Sequence, residues 1–365
     1  MAGPAERLEY WLREILPLPT APFHEDAIIA RVRRLARERG LRVRSDQAGN
    51  QVVEYRREGA SVTPVAFTCH MDHPGFEVVA ARGRQATLRL LGGVDEPTLR
   101  GSRILIHGAD GPVRCRTRSV RMSPDRRKRH THVTVTSETP LAEGDWGHFD
   151  LTPLSLARGR ITSKALDNVL SAALILALLD RLAATRRRAH VYGVFTAAEE
   201  VGFVGAMGLV KGRLLPRRVP VVVMETSREL PGFSIGAGPV VRVGDRISVY
   251  DDGVTRWLGD TATAVAGRDG DFRWQRALMP GGMCEATLFN IAGYRAGALA
   301  LALANYHNMG PRGAAAEWVN RRDAEQMLQL LEALAARGPR PGSDETLYAR
   351  IETQYRRYRK RLNRR

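Results

Sequence analysis

The stretch TPVAFTCHMDHPG, residues 63–75, separates two textures of the chain. Its first half, through His70, is a near-continuous apolar run, as expected of a central strand covered on both faces. Upstream lie two amphipathic stretches, 6–16 and 24–39, parted by the proline-rich LPLPTAPF (16–23). Two β-like segments follow, LRVRSD (41–46) and NQVVEYRR (50–57). Beyond His70 the helical period disappears. From about residue 76 to 160 the chain is a series of short β-like pieces, FEVVAA, QATLRLLG, SRILIHG, VRCRTRSVRM and THVTVTSE, divided by Gly, Pro and Asp turns. This pattern predicts a small β-barrel inserted into something else.

Strands alternating with helices then return. LDNVLSAALILALLDRLAA (166–184) reads as a long buried helix, and AHVYGVFTA (189–197), VPVVVME (219–225) and AGALALALA (296–304) as strands. VGFVGAMGLV, TRWLGDTATAVAG and DAEQMLQLLEALAARG read as helices. The expected fold is α/β, a mixed-sheet sandwich with an inserted β-barrel. The expected division is 1–72 plus 161–342 as one discontinuous α/β domain, 73–160 as the insert, and 343–365 as a basic helical tail.

Composition narrows the class. With 365 residues, 44% of them hydrophobic, there is material for one large core and a smaller module. The net charge of +17 is concentrated: eight of residues 114–129 are Arg or Lys, as are seven of the last ten. Such clusters can hold phosphates, or they can be a solvated hairpin tip and tail. With no zinc knuckle, RNP-like motif or aromatic interleaving in the hairpin, nucleic acid is not expected as the primary partner. No apolar run reaches the roughly 18 residues of a membrane span, and the first residues lack a signal-peptide pattern. Three widely spaced cysteines, Cys69, Cys115 and Cys284, imply no disulfide framework, and a reducing cytoplasm fits best.

The chemistry-bearing residues sit where strands should end. His70 closes its strand at the carboxyl edge of the sheet, where open α/β folds place their sites. Asp72, two residues on, points the same way in an extended chain and can orient the imidazole. Asp167 opens a long apolar helix, either as an N-cap or as a carboxylate holding one cation through each oxygen. Glu199 and Glu200 are adjacent after a buried strand, where each raises the pKa of the other unless a cation intervenes. A division of labour is natural there, with Glu200 as ligand and Glu199 as general base; the alternative is a solvated helix start. Glu225 and His307 each follow an apolar strand as well. Two histidines and three carboxylates suffice for two zinc-like ions around a shared carboxylate, and the chain reads as a dinuclear metallopeptidase.

In order, these segments resemble the glutamyl aminopeptidase (tetrahedral aminopeptidase) family of dinuclear zinc metallopeptidases. The resemblance spans nearly the whole chain: His-Met-Asp at 70–72, SKALDN at 163–168, EEVGFVGA at 199–206, and the terminal His307. Within and after the insert it continues through LLGGVDEPTLRGSRILIHG, LAEGDWGHFD, LARGRITSKALDN and IGAGPVVRVGD. It implies that Asp167 bridges two divalent ions, zinc or else cobalt or manganese, with His70 and Glu225 completing one and Glu200 and His307 the other. It further implies Glu199 as base, Asp72 as orienting carboxylate, and a cis peptide at Asp167–Asn168. The chain departs from the family pattern at Glu225 (usually Asp), at His73 (usually Glu), at 283–285 and at 308–309.

The expected activity is hydrolysis of peptide or amide bonds, most simply release of N-terminal residues, with Glu285 as an extra anchor for the substrate amine. Two alternatives stay open: a deacylase or other amidohydrolase acting on a small N-acyl or amino compound, and a non-catalytic, metal-stabilised binding module using its basic surface. Relatives of this kind assemble, so a homo-oligomer, at least a dimer, is expected.

Overall fold

The computed structural model describes residues 3–57, 63–122, 131–339 and 343–362. Eight strands form one mixed sheet in the order Arg42–Ser45, Gln51–Arg57, Ala189–Thr196, Val65–His70, Val221–Arg228, Ala296–Leu303, Val240–Gly244, Gln275–Leu278. The four central strands, Ala189–Thr196 through Ala296–Leu303, run parallel. Register aligns Thr196 with His70, and Glu225 with Ala300. Their carboxyl ends therefore open along one edge, which is where the chemistry-bearing residues fall. The outer pairings 51–57 with 189–196 and 240–244 with 296–303 are antiparallel.

Both faces of this sheet are covered, which explains the unbroken apolar runs. On one face Val65, Phe67 and Cys69 pack with the helix Val169–Thr185 and with the helices Pro4–Ile15, Asp26–Arg39, Asp252–Ala266 and Arg321–Arg337. On the other, Ala66, Val194, Val221 and Val223 meet the helices Val204–Gly212 and Glu285–Ile291. Burying a Val, Leu or Phe side chain contributes roughly 1.5–3 kcal/mol, so the two clusters dominate the stability of this layer. One charged residue is buried on the central helix. Asp180 is buried because it accepts from Trp11 Nε1 (3.2 Å) and Arg39 Nε (2.6 Å) and pairs with Arg7.

The insert is a closed, antiparallel six-stranded barrel in the order Gly75–Arg82, Gln85–Leu91, His132–Ser137, Gly111–Arg121, Arg103–Gly108, Trp146–Phe149. Closure removes free edges, and alternate residues such as Phe76, Leu88, Ile104, Val133 and Phe149 fill the interior. The expected basic hairpin is the pair 111–121 and 132–137, and its most basic part, 126–129, lies outside the described residues. A three-stranded sheet, Ser155–Ala157, Arg160–Ser163 and Glu317–Asn320, joins the exit of the insert to the segment after His307. The tail contains the helix Ser343–Leu362. Among the described residues no helix is long and apolar enough to cross a membrane.

Gly205 shows how backbone contact carries sheet geometry into the site. A Cβ there would meet the Ala197 carbonyl oxygen at 2.1 Å and its nitrogen at 2.6 Å. The Asn50 side chain ties the same two segments, accepting from Ala197 N (3.1 Å) and donating to the Gly205 carbonyl (2.8 Å). Gly205→Ala is therefore expected to lower unfolding free energy by about 1–3 kcal/mol, the usual cost of overpacking, and to displace the Glu199–Glu200 loop. Denaturant titration tests this; unchanged stability would remove the glycine from the argument.

Candidate metal centre

His70 is the last residue of its strand and is buried. Its Nδ1 donates to the Asp72 carbonyl (3.1 Å), which leaves Nε2 as the lone-pair nitrogen. That Nε2 faces Asp167 Oδ1 at 3.7 Å, Glu225 Oε2 at 3.8 Å and Glu199 Oε2 at 3.9 Å. His307 is arranged the same way. Its Nδ1 donates to the Gly93 carbonyl (2.7 Å), and Nε2 faces Glu200 Oε1 at 3.0 Å and Asp167 Oδ2 at 3.4 Å. Asn305, His307 and Asn308 all have φ near +54 to +60°, a sparsely populated region for residues other than glycine that is found mainly at functional sites.

Asp167 does not cap its helix. The helix begins at Val169, Asn168 is its N-cap residue, and the Asp167–Asn168 peptide is cis. The Asn168 amide donates to the Met224 carbonyl (2.6 Å) and to Glu225 Oε2 (3.4 Å), while the two Asp167 oxygens face the two imidazoles. Nor do Glu199 and Glu200 begin a helix, since the next one starts at Val204. Asp72 instead holds them from below, accepting from Glu199 N through Oδ1 and from Glu200 N through Oδ2, each at 3.0 Å. The Asp72 carbonyl accepts from His70 Nδ1, its carboxylate lies 3.6 Å from the same nitrogen, and that carboxylate also accepts from both glutamate amides.

Two sets of donors thus converge, His70 with Glu199 and Glu225, and Asp167 with Glu200 and His307. Among the described residues, Asp167 Oδ1 and Glu200 Oε1 are buried and accept no hydrogen bond. Orphaned carboxylate oxygens of this kind are costly unless a cation meets them. Separations of 3.0–3.9 Å between the donors bracket the distance of about 3.3 Å between neighbouring ligands on a tetrahedral ion with bonds near 2.0–2.1 Å. Imidazole nitrogens with carboxylates suit zinc and its neighbours. The residues fit two divalent cations.

The electrostatics agree. Burial pushes the Glu199 carboxyl well above its ordinary range, and burial likewise lifts Glu225 to about 8. For His70 burial works against protonation, but Glu199 and Asp72 outweigh it and hold the imidazole well above its usual value. Four carboxylates facing two imidazoles leave an excess of negative charge that only added positive charge relieves.

A cavity of about 270 Å³ opens over these donors. Its lining also includes Arg228, Arg242, Met279, Met283, Cys284 and Tyr306, the last stacked on His307. Glu285 does not line it. It begins the helix Glu285–Ile291, is fully buried, and burial raises its carboxyl to about 7. Sequence reasoning missed Arg242, although an arginine between valines in VVRVG was a usable signal. It also missed the carboxylate of Glu317, for which no motif exists. Two of the departures from the family pattern touch each other: His73 Nε2 lies 3.0 Å from Asn308 Oδ1, while His73 Nδ1 bonds the Asp167 carbonyl and the Asn308 amide donates to Lys164 O (2.9 Å).

The sequence profile of the M42 glutamyl aminopeptidase family matches residues 49–330. The chain belongs to this family. As an M42 peptidase it is a hydrolase, a metal-dependent aminopeptidase, and the deacylase and binding-module alternatives are not favoured. Solved structures share the fold at low identity. A TET aminopeptidase from the marine sediment archaeon Thaumarchaeota archaeon SCGC AB-539-E09 is 19% identical with a TM-score of 0.75, over 92% of this chain and 97% of that one. An aminopeptidase from the archaeon Desulfurococcus kamchatkensis is 20% identical with a TM-score of 0.74, over 92% and 96%. The TET1 peptidase of Pyrococcus horikoshii, described as assembling into a tetrahedron or a large octahedral shell, is 19% identical with a TM-score of 0.73, over 90% and 99%.

Elemental analysis of the purified M42 protein is expected to find two divalent ions per chain. Dialysis against a chelator should abolish hydrolysis, and re-addition of the metal should restore it. Turnover that persists in metal-free protein would overturn the centre.

Proposed function

We propose that the chain is a dinuclear aminopeptidase whose residues would hold two cations, zinc first and cobalt or manganese as alternatives. Asp167 would be shared, with His70 and Glu225 completing one set of donors and Glu200 and His307 the other. The supporting observation is the Asp167 carboxylate, whose Oδ1 faces one imidazole Nε2 and whose Oδ2 faces the other. Bound there, the cations would supply Lewis acidity to a water and to the scissile carbonyl. Glu199, the carboxylate left over, accepts the proton of the attacking water and returns it to the leaving amine. Burial and the neighbouring carboxylates raise its proton affinity toward that task. Asp72 keeps Glu199 aimed by holding its backbone.

The favoured substrate is a peptide with an acidic N-terminal residue. Arg242 is 4% exposed, lies on the cavity wall, and its Nε makes no hydrogen bond among the described residues. A buried guanidinium of this kind suits a carboxylate. Met279 and Met283 offer apolar surface for the methylenes of a glutamyl side chain, and Arg228 adds positive charge.

We further propose a homo-oligomer, in line with the assemblies described for TET1 of Pyrococcus horikoshii. A cytoplasmic setting is supported by three buried cysteines without a disulfide. The division into a catalytic domain of 1–72 with 161–342, an insert of 73–160 and a tail is supported by the closed barrel of the insert.

Glu199→Gln is expected to keep both ions and lose about 10²–10⁴ in kcat. Near-normal turnover with full metal content would assign the base elsewhere. Arg242→Met is expected to lower kcat/KM for a glutamyl anilide relative to a leucyl anilide by about tenfold or more. An unchanged ratio would remove Arg242 from specificity.

A further inference from the structure

One buried side chain outside the donor set touches the backbone of two proposed ligands. Glu317 is fully buried. Its Oε2 accepts from Leu166 N (2.6 Å) and Asp167 N (2.9 Å), and its Oε1 accepts from His307 N (2.8 Å). None of these three N–H groups lies inside a strand or a regular α-helix. Asp167 and Leu166 precede the helix that starts at Val169, and His307 is held in the left-handed region. Glu317 also begins the short strand that pairs with both approaches to the site. Its strand pairs with Arg160–Ser163, which leads to Asp167, and Trp318 bridges Ala304, which leads to His307.

We infer that Glu317 is a positioning residue, a carboxylate clasp that sets the separation of Asp167 and His307 and with it the affinity of the cation site those residues share with Glu200. The inference rests on the proposal that these three residues hold a cation. The chemistry of the clasp requires a carboxylate. Three charge-assisted hydrogen bonds on two oxygens satisfy a charge that burial would otherwise make costly. They also fix two loops whose backbone conformations are not maintained by regular secondary structure. An outer residue that orients ligands in this way typically governs metal affinity without touching the metal.

Glu317→Gln separates positioning from packing, because glutamine has the same shape but one acceptor oxygen and one NH2 donor. It can satisfy either the Leu166 and Asp167 amides or the His307 amide, and it must turn its NH2 against the other. A residue that mattered only for volume would tolerate the change.

The experiment is a Co²⁺ titration of metal-free, full-length protein, followed by ligand-field absorption and calorimetry. Wild type is expected to take up two equivalents. In Glu317→Gln, the equivalent completed by His307 should bind about 10–100-fold more weakly and the other, which shares only Asp167 with the clasp, should be weakened less, with an unchanged circular dichroism spectrum. Two equivalents bound with wild-type affinities by Glu317→Gln would overturn the clasp while leaving the dinuclear centre standing. Fewer than two equivalents in wild type would overturn the dinuclear reading, and the clasp with it. Should Glu317→Gln not fold, Glu317→Asp keeps both acceptors on a shorter arm. It is expected to show the same selective loss, and wild-type binding by it would equally overturn the clasp.

Discussion

The structure depends on gathering negative charge at one buried edge. Asp167, Glu199, Glu200 and Glu225 converge on two imidazoles with little water to screen them. Like charges in such a place raise one another's pKa and oppose folding. The arrangement is tenable because cations complete it, and the protein's task is to hold the donors apart at coordination distance until they do. Much of the surrounding structure is explained by that task.

The donors are held by a ring of outer contacts, each pointing a lone pair or a carboxylate inward. The Asp72 and Gly93 carbonyls select the imidazole nitrogen that faces the centre. The Asp72 carboxylate fixes the glutamate pair, and the Asn168 amide donates to the Met224 carbonyl and to Glu225 Oε2. Gly93 belongs to the segment between barrel strands, so the insert reaches the centre directly. Met309 and Ala314, just beyond His307, pack against the barrel core. The insert is thus tied to the geometry of the site at its near end.

One cavity is lined both by donors of the centre and by Arg228, Arg242, Met279 and Met283. In the proposed reading the donors would serve the scissile bond and Arg242 the substrate's first side chain. The His73–Asn308 contact accounts for two departures from the family pattern at once, since the new residues are partners.

Patterning in the chain was enough to determine the layered α/β fold and its β insert, and it marked the histidines and carboxylates that the structure brings together. Hydrophobic period and strand-end position are local properties, and a sheet buried on both faces writes them into the sequence as unbroken apolar runs. Tertiary structure alone decided which alternative each residue realised. It turned Asp167 from a possible helix cap into a carboxylate between two histidines, left Glu285 buried off the cavity lining, and brought Arg242 and Glu317 to the site. Those outcomes depend on contacts between residues up to about 150 positions apart, such as Glu317 with Asp167, and no local pattern encodes them. The register of parallel strands brings such segments together, and burial then determines what each polar group must meet.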